Sequence, residues 1–132
     1  MASRGLADTS IFVAAETGRP LGALPDELSI ATVTLTELEL GVLAAREPSD
    51  RARRLRTLTD VRAAVAALPL DERAASHLAQ LIAELHAEGR KPKVFDTIIA
   101  ATALQHGLPV YTQDGDFDAI ADIHNALQVH RV

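Results

Sequence analysis

Short apolar segments alternate with helical patterns along the chain, and no other feature of the sequence restricts its fold as strongly. We predict strands at residues 6–7, 29–32, 67–70, 108–112 and 127–130. The clearest predicted helix spans residues 71–88, and others cover 9–15 and 95–106 or begin at Thr34 and at Ser49 or Asp50. Strands that alternate with helices usually pair in parallel. The sequence therefore predicts an α/β fold with a mainly parallel sheet that helices cover on both faces.

Chain length, charge and cysteine content limit the classes of protein that remain. The 132 residues are enough for one domain, residues 1–132, with a packed core. The absence of cysteine excludes disulfides and thiolate metal sites. No apolar run is long enough for a signal peptide or a membrane span, so we expect a cytoplasmic protein with no membrane partner. The net charge of −5 argues against binding nucleic acid by bulk charge alone, although a divalent cation held by acidic residues reverses the local field.

Several acidic residues stand beside apolar or small residues rather than on an evidently solvated face. They are Asp8, Glu37, Asp96 and the pair Asp114 and Asp116. Two of these clusters follow predicted strands, at the edge where parallel sheets bind ligands. Carboxylates brought together repel one another, and a hard divalent cation such as Mg²⁺ removes that repulsion while keeping bound waters. This chemistry suits hydrolysis of a phosphodiester.

Four short motifs, taken together and in order, resemble those of the PIN-domain family. They are Asp8-Thr9-Ser10, Thr36-Glu37-Leu38-x-Leu40-Gly41, Asp96-x-x-Ile99-Ala100-Ala101-x-Ala103 and Tyr111-Thr112-x-Asp114-x-Asp116-Phe117. The resemblance spans nearly the whole chain. Small members of this family are usually VapC-type toxins of VapBC toxin–antitoxin pairs.

The resemblance implies a fold, a cofactor, an activity and a set of site residues. The fold is a three-layer α/β/α sandwich, and the activity is that of an endoribonuclease that uses Mg²⁺ or Mn²⁺ to activate water, leaving a 5′-phosphate and a 3′-hydroxyl. The carboxylates of Asp8, Glu37, Asp96 and Asp114 become the catalytic and metal-binding quartet. Asp116 becomes a fifth carboxylate that binds a second metal or acts through water, and Ser10 and Thr112 are polar positions lining the pocket.

The resemblance also implies partners. These are an RNA substrate, a VapB-type antitoxin that typically places an arginine in such a site, and a second copy of the chain in a homodimer. From the residues themselves, Arg90, Lys91 and Lys93 lie just before Asp96 and are candidates for holding RNA phosphates. Five arginines of the helix that begins near residue 50 are better explained as a solvated face than as an RNA or partner contact: Arg51, Arg53, Arg54, Arg56 and Arg62.

Structural and functional alternatives stand beside this interpretation. Asp8 and Asp96 are also suited to capping helices, and Glu37 follows Thr34 by three residues, as in a capping box. Asp114 precedes a glycine, which is typical of a turn. One alternative function is a phosphatase with Asp8 as nucleophile, but such enzymes usually have an acidic residue where this chain has Ser10. Another is a non-catalytic module whose acidic pocket binds a basic partner.

Overall fold

A computed structural model describes residues 1–132 and contains a five-stranded sheet in which every pairing is parallel. The strands are β1 (Arg4–Ala7), β2 (Glu27–Ala31), β3 (Ala66–Leu68), β4 (Val110–Thr112) and β5 (Val129–Arg131). Their order across the sheet is β3-β2-β1-β4-β5. The predicted parallel α/β fold is therefore confirmed, and Arg4 and Gly5, which are poor strand residues, nevertheless belong to the central strand.

Six helices cover the two faces of this sheet. They are α1 (Thr9–Thr17), α2 (Thr32–Ala44), α3 (Pro48–Ala64), α4 (Glu72–Ala87), α5 (Val94–His106) and α6 (Asp118–Ile123). One apolar core joins Ile11 of α1 to Leu58 of α3, and a second joins Leu81 of α4 to Ile99 of α5. Two separate cores are expected when helices pack on both faces of a sheet, so the three-layer α/β/α arrangement is confirmed. None of the helices is both long enough and apolar enough to span a membrane.

The strand order creates a crevice between β1 and β4. From β1 the chain builds the sheet outward through β2 and β3, and it then returns to the other side of β1 to add β4 and β5. In the β1–β4 pair, Ala7 lies opposite Tyr111, and the backbone N–H of Asp8 donates to the Tyr111 carbonyl at 3.0 Å. Ligands of open parallel sheets bind where the strand order reverses in this way. The residues that follow β1 and β4 therefore meet at the position where a site is expected.

The predicted capping box at the start of α2 is wrong. The helix begins at Thr32, directly after β2, and its N-terminus carries no side-chain cap. Thr34 already lies inside the first turn, where its hydroxyl is buried without a hydrogen-bond partner in the protein. Because the N-cap is Ala31, three residues before the N-cap that the pattern indicated, Glu37 lies past the capping-box position and its carboxylate is available for another role.

The arginines of α3 form a solvated face only in part. Arg56 is exposed, but Arg51 donates to the Ala45 carbonyl at 2.9 Å and Arg54 donates to the Gly41 carbonyl at 2.8 Å. Arg53 lies 3.5 Å from the Glu16 carboxylate. These contacts attach α3 to the end of α2 and to α1, so most of this positive charge serves the packing of three helices.

Gly5 is required where the central strand passes under an aromatic ring. A Cβ at this position would overlap the ring of Tyr111, which is itself stacked on His130 with ring centroids 4.8 Å apart. The ring has little freedom to withdraw, because His130 lies on its other side. A side chain at position 5 would therefore disturb the β1–β4 pairing that forms the crevice.

We predict that Gly5→Ala lowers the free energy of unfolding by about 1–3 kcal/mol, the usual cost of overpacking. The matched control is Gly41→Ala in α2, where the nearest atom to a new Cβ is Arg54 Cδ at 3.9 Å. That control should raise the free energy of unfolding by roughly 0.5–1 kcal/mol, because alanine loses less backbone entropy in a helix. Urea denaturation measures both, and a Gly5→Ala protein as stable as the wild type would contradict the packing described.

Candidate functional site

An open cleft of about 400 Å³ lies at the carboxyl ends of β1 and β4. All five carboxylates predicted from the sequence line it. The lining residues are Asp8, Thr9, Ser10, Val13, Arg19, Glu37, Asp96, Asp114 and Asp116. Asp8 and Asp116, which are 108 positions apart in the sequence, thus line one concave surface, and eight of its nine side chains are polar or charged.

Asp8 occupies the N-cap position of α1, but its side chain does not cap the helix. Its Oδ1 instead accepts a hydrogen bond from the Ser10 hydroxyl at 2.6 Å. The residue is only 3% exposed. The capping alternative for Asp8 is therefore wrong, and the carboxylate is held by the hydroxyl of Ser10.

Ser10 and Thr112 also fix the turn that follows β4. The Ser10 oxygen accepts from the backbone N–H of Gln113 at 2.9 Å, and the Thr112 oxygen accepts from the backbone N–H of Asp114 at 3.0 Å. The two hydroxyl oxygens lie 3.3 Å apart. These two small side chains connect Asp8 on one strand end to Asp114 on the next.

Helices bring the other two carboxylates of the predicted quartet to the cleft. Glu37, in the middle of α2, accepts a hydrogen bond at Oε1 from the Thr9 hydroxyl at 2.7 Å. Asp96 lies in the first turn of α5, whose N-cap is Lys93 and which has no side-chain cap. The capping alternative for Asp96 is therefore also wrong. Thr9, which the sequence reasoning did not single out, holds Glu37.

Burial and the charges of neighbouring carboxylates raise the pKa of three acids of this cleft, Asp8, Glu37 and Asp96. Burial raises the pKa of Asp8 to about 7, the charges of Asp114 and Asp96 add to the rise, and the hydroxyls of Ser10 and Thr112 oppose it. Burial also raises the pKa of Asp96 to about 6, helped by the charges of Asp116 and Glu37. The pKa of Glu37 is raised mainly by burial. Neither Asp8 nor Asp96 is paired with a basic side chain, so the ionisation of both carboxylates at neutral pH is unfavourable.

The donor atoms of the cleft fit a hard divalent cation. Every side-chain donor among the acidic and hydroxyl residues is an oxygen, and no histidine lines the cleft. Such a set suits Mg²⁺ or Mn²⁺ rather than a metal that prefers nitrogen or sulfur. No three acidic or histidine side chains converge closely enough to bind one ion directly. An ion here would use few direct carboxylates and complete its shell with water, which is the usual arrangement for Mg²⁺.

The three basic residues predicted before Asp96 line a second cleft of about 250 Å³, which adjoins the first at Asp96 and Asp116. Lys93 donates from Nζ to Asp116 Oδ1 at 2.7 Å. Arg90 donates to the Ala119 carbonyl at 3.2 Å and is thereby tied to α6. Lys91 shares the lining with them. Positive charge therefore flanks the acidic cleft on the α5 side.

Arg19 is a cleft residue that the sequence reasoning missed. It follows α1 and shares the acidic cleft with Asp8 and Asp114. Its position depends on how the segment after α1 packs on the β4 turn, where Gln113 Nε2 donates to the Pro20 carbonyl at 3.0 Å. No local pattern in the sequence indicates a contact between residues more than ninety positions apart.

The chain is similar in sequence to known proteins. The sequence profile of the PIN domain matches residues 6–123. Ribonuclease VapC5 of Mycobacterium tuberculosis is 46% identical over 118 residues, covering 88% of this chain and 87% of the relative. Ribonuclease VapC4 of the same organism is 39% identical over 122 residues, covering 91% and 93%.

Solved structures agree with these sequence matches. The crystal structure of VapBC-5, a member of the VapBC family of toxin–antitoxin systems from M. tuberculosis, has a TM-score of 0.87 at 40% identity, covering 98% of this chain and 99% of the other. VapBC2 from Rickettsia felis has a TM-score of 0.80 at 17% identity, covering 98% of each chain, and shows the same fold.

We predict that the metal-free protein loses stability as the pH rises from about 4 to about 7, in part because of Asp8. Its pKa is higher in the folded protein, about 7, than its ordinary value of 3.8, so the folded state binds more protons in this window. Asp8→Asn removes this contribution and should stabilise the metal-free protein at pH 8 by an amount of the order of 2 kcal/mol, with little effect near pH 4.

Chemical denaturation in EDTA across this pH range measures the effect. Asp60→Asn, at an exposed position of α3, is the matched control and should follow the wild-type profile. Parallel profiles for the wild type and Asp8→Asn would show that Asp8 ionises without cost in the folded protein, contrary to this expectation.

Proposed function

The chain belongs to the PIN-domain family, and we propose that it is a metal-dependent endoribonuclease that acts as the toxin of a type II toxin–antitoxin pair. The observation that carries the proposal is the convergence of Asp8, Glu37, Asp96 and Asp114 on one cleft. Relatives named ribonuclease VapC, at up to 46% identity, support RNA as the substrate. The all-oxygen donor set supports Mg²⁺ or Mn²⁺ as the cofactor.

The four carboxylates are the residues that would hold the cation, few of them directly and the others through its bound waters. When bound, Mg²⁺ or Mn²⁺ supplies positive charge that activates water and stabilises the charge developing on the phosphate. The chain's own contribution is to fix the ligands beforehand. Ser10, whose hydroxyl lies beside that of Thr112, orients the Asp8 carboxylate, and Thr9 orients that of Glu37. Hydrogen bonds of this kind to metal ligands tune both their geometry and their affinity.

The shape and lining of the cleft favour contact with the RNA backbone over contact with bases. The cleft is open, and no aromatic side chain lines it, so it offers no platform on which a base would stack. We assign Arg90, Lys91 and Lys93 to phosphate binding beside the cleft. Asp116 takes a supporting role, because its carboxylate already accepts a hydrogen bond from Lys93.

A VapB-type antitoxin is the proposed inhibitor, and a homodimer is the proposed assembly. The similarity to VapBC-5, a toxin–antitoxin system, supports the first of these partners. Carboxylates lining an open cleft are a strong binding site for a guanidinium group, since such pairs form charge-assisted, often bidentate hydrogen bonds. An arginine from the antitoxin would therefore occupy the positions that the cation and RNA require.

We predict that the purified, antitoxin-free protein cleaves total cellular RNA at discrete sites with Mg²⁺ or Mn²⁺ and not with excess EDTA. Asp96→Asn should reduce the rate by about 100-fold or more, because it removes a negatively charged metal ligand while preserving side-chain shape. Asp60→Asn removes the same charge from an exposed position of α3 and should cleave at the wild-type rate. Sequencing of the new RNA ends locates the target and shows whether each new 5′ end carries a phosphate.

Two results would contradict the proposal. Cleavage that persists in EDTA, or that Asp96→Asn leaves unchanged, would remove the metal-dependent mechanism. A folded protein that binds Mn²⁺ but cleaves no RNA would favour the partner-binding module over the enzyme.

A further inference from the structure

We propose that Arg19 binds a phosphate of the RNA strand next to the scissile phosphate, on the side of the cleft away from Lys93. This inference rests on the proposed ribonuclease function and names a residue that recognises the substrate of that function. Arg19 is the one cation among the nine residues that line the acidic cleft.

The guanidinium of Arg19 is free to bind an anion, although it shares the cleft with five carboxylates. It forms no ion pair within 4.0 Å, whereas Lys93 is paired with Asp116. Its one side-chain hydrogen bond is long, 3.5 Å from Nη1 to the amide oxygen of Gln113, which is uncharged. Most of its donors are therefore available to a ligand.

The backbone of Arg19 is anchored even though its side chain is exposed. Gly18 ends α1 in the left-handed conformation, with φ of 73°, which a residue with a Cβ adopts only with strain. The Arg19 N–H then donates to the Ala14 carbonyl at 2.8 Å, and Gln113 binds the next residue through the Pro20 carbonyl. The starting point of the side chain is therefore fixed relative to the cleft.

The same glutamine connects Arg19 to the carboxylate cluster. The Gln113 backbone N–H donates to Ser10, whose hydroxyl holds Asp8. The Gln113 side chain also donates to the carbonyl of Val132 at 2.7 Å, which fixes its amide. A phosphate on Arg19 would thus lie at a defined place beside Asp8 and Asp114.

Arg19 and Lys93 approach the cleft from opposite layers of the fold. Arg19 follows α1, which packs on one face of the sheet through Ile11, and Lys93 precedes α5, which packs on the other face through Ile99. A strand that crosses the cleft would meet one cation on each side of the carboxylates. Because the carboxylates repel phosphates, positive charge on both sides is needed to hold the flanking nucleotides, and a guanidinium matches phosphate geometry well.

The test uses a short single-stranded RNA that spans a cleavage site mapped with the wild-type protein. We expect Arg19→Ala to raise KM by about 3- to 10-fold with kcat within twofold of wild type, because the contact acts on a phosphate that does not react. The slope of log KM against log salt concentration should fall by about 0.7, the value for one phosphate contact on a single strand. Arg19→Lys should retain that slope, since it keeps the charge.

The matched control is Arg4→Ala, which removes the same charge at the opposite end of β1, where Arg4 pairs with Glu27 on the surface. It should leave both KM and the salt slope unchanged. Fluorescence anisotropy with the same RNA, in the slowly cleaving Asp96→Asn background, should show the same loss of binding on Arg19→Ala.

The behaviour of the wild-type protein and of Arg19→Ala distinguishes this inference from the proposed ribonuclease function. If the wild-type protein cleaves RNA and Arg19→Ala has wild-type KM, salt slope and anisotropy, Arg19 does not bind the substrate. A fall in kcat with KM unchanged also overturns the proposal, because it places Arg19 in the chemistry or in the structure of the cluster. Absence of cleavage by the wild-type protein overturns the proposed function and this inference with it.

Discussion

The parallel pairing of β1 with β4 is the constraint on which the rest of the structure depends. It places Asp8 beside the residues that follow Tyr111, with a backbone hydrogen bond of 3.0 Å between the two strand ends. The strand order reverses at this pair, so the loops leave in opposite directions and open a crevice. Gly5 permits the close approach of the Tyr111 ring. A small residue in the central strand therefore helps to shape the site.

The acidic cleft holds carboxylates in positions where their ionisation is unfavourable in the metal-free protein. Burial raises the pKa of Asp8 to about 7 and that of Asp96 to about 6, which means that full ionisation at neutral pH costs stability. The hydroxyl groups of Ser10 and Thr9 hold the carboxylates of Asp8 and Glu37 without cancelling their charge. Functional sites commonly depart from the stability optimum in this way, and the divalent cation that we propose would relieve the repulsion between these carboxylates.

The sequence predicts the fold and the candidate carboxylates well because both follow from local patterns. Alternating apolar strands and helices indicate a parallel sheet. The four motifs identify the acidic residues that line one cleft: Asp8, Glu37, Asp96 and Asp114. The features that the sequence predicts poorly are those that depend on tertiary contacts. The Thr34 capping box failed because β2 runs directly into α2, and the arginines of α3 found carbonyl and carboxylate partners on other helices. Arg19 reaches the cleft through a contact with Gln113, which is distant in the sequence. No local sequence pattern predicts this contact.

The most direct test of the central claim, that the carboxylates form one cation site, is X-ray diffraction from crystals of the protein grown with Mn²⁺, recorded where manganese scatters anomalously. The expected result is an anomalous peak inside the cleft, bound by at least two of the carboxylates of Asp8, Glu37, Asp96 and Asp114 and otherwise by water. The same peak should be lost from Asp96→Asn crystals or reduced in them. A cleft without a peak at saturating Mn²⁺, in a protein that still cleaves RNA, would contradict the claim.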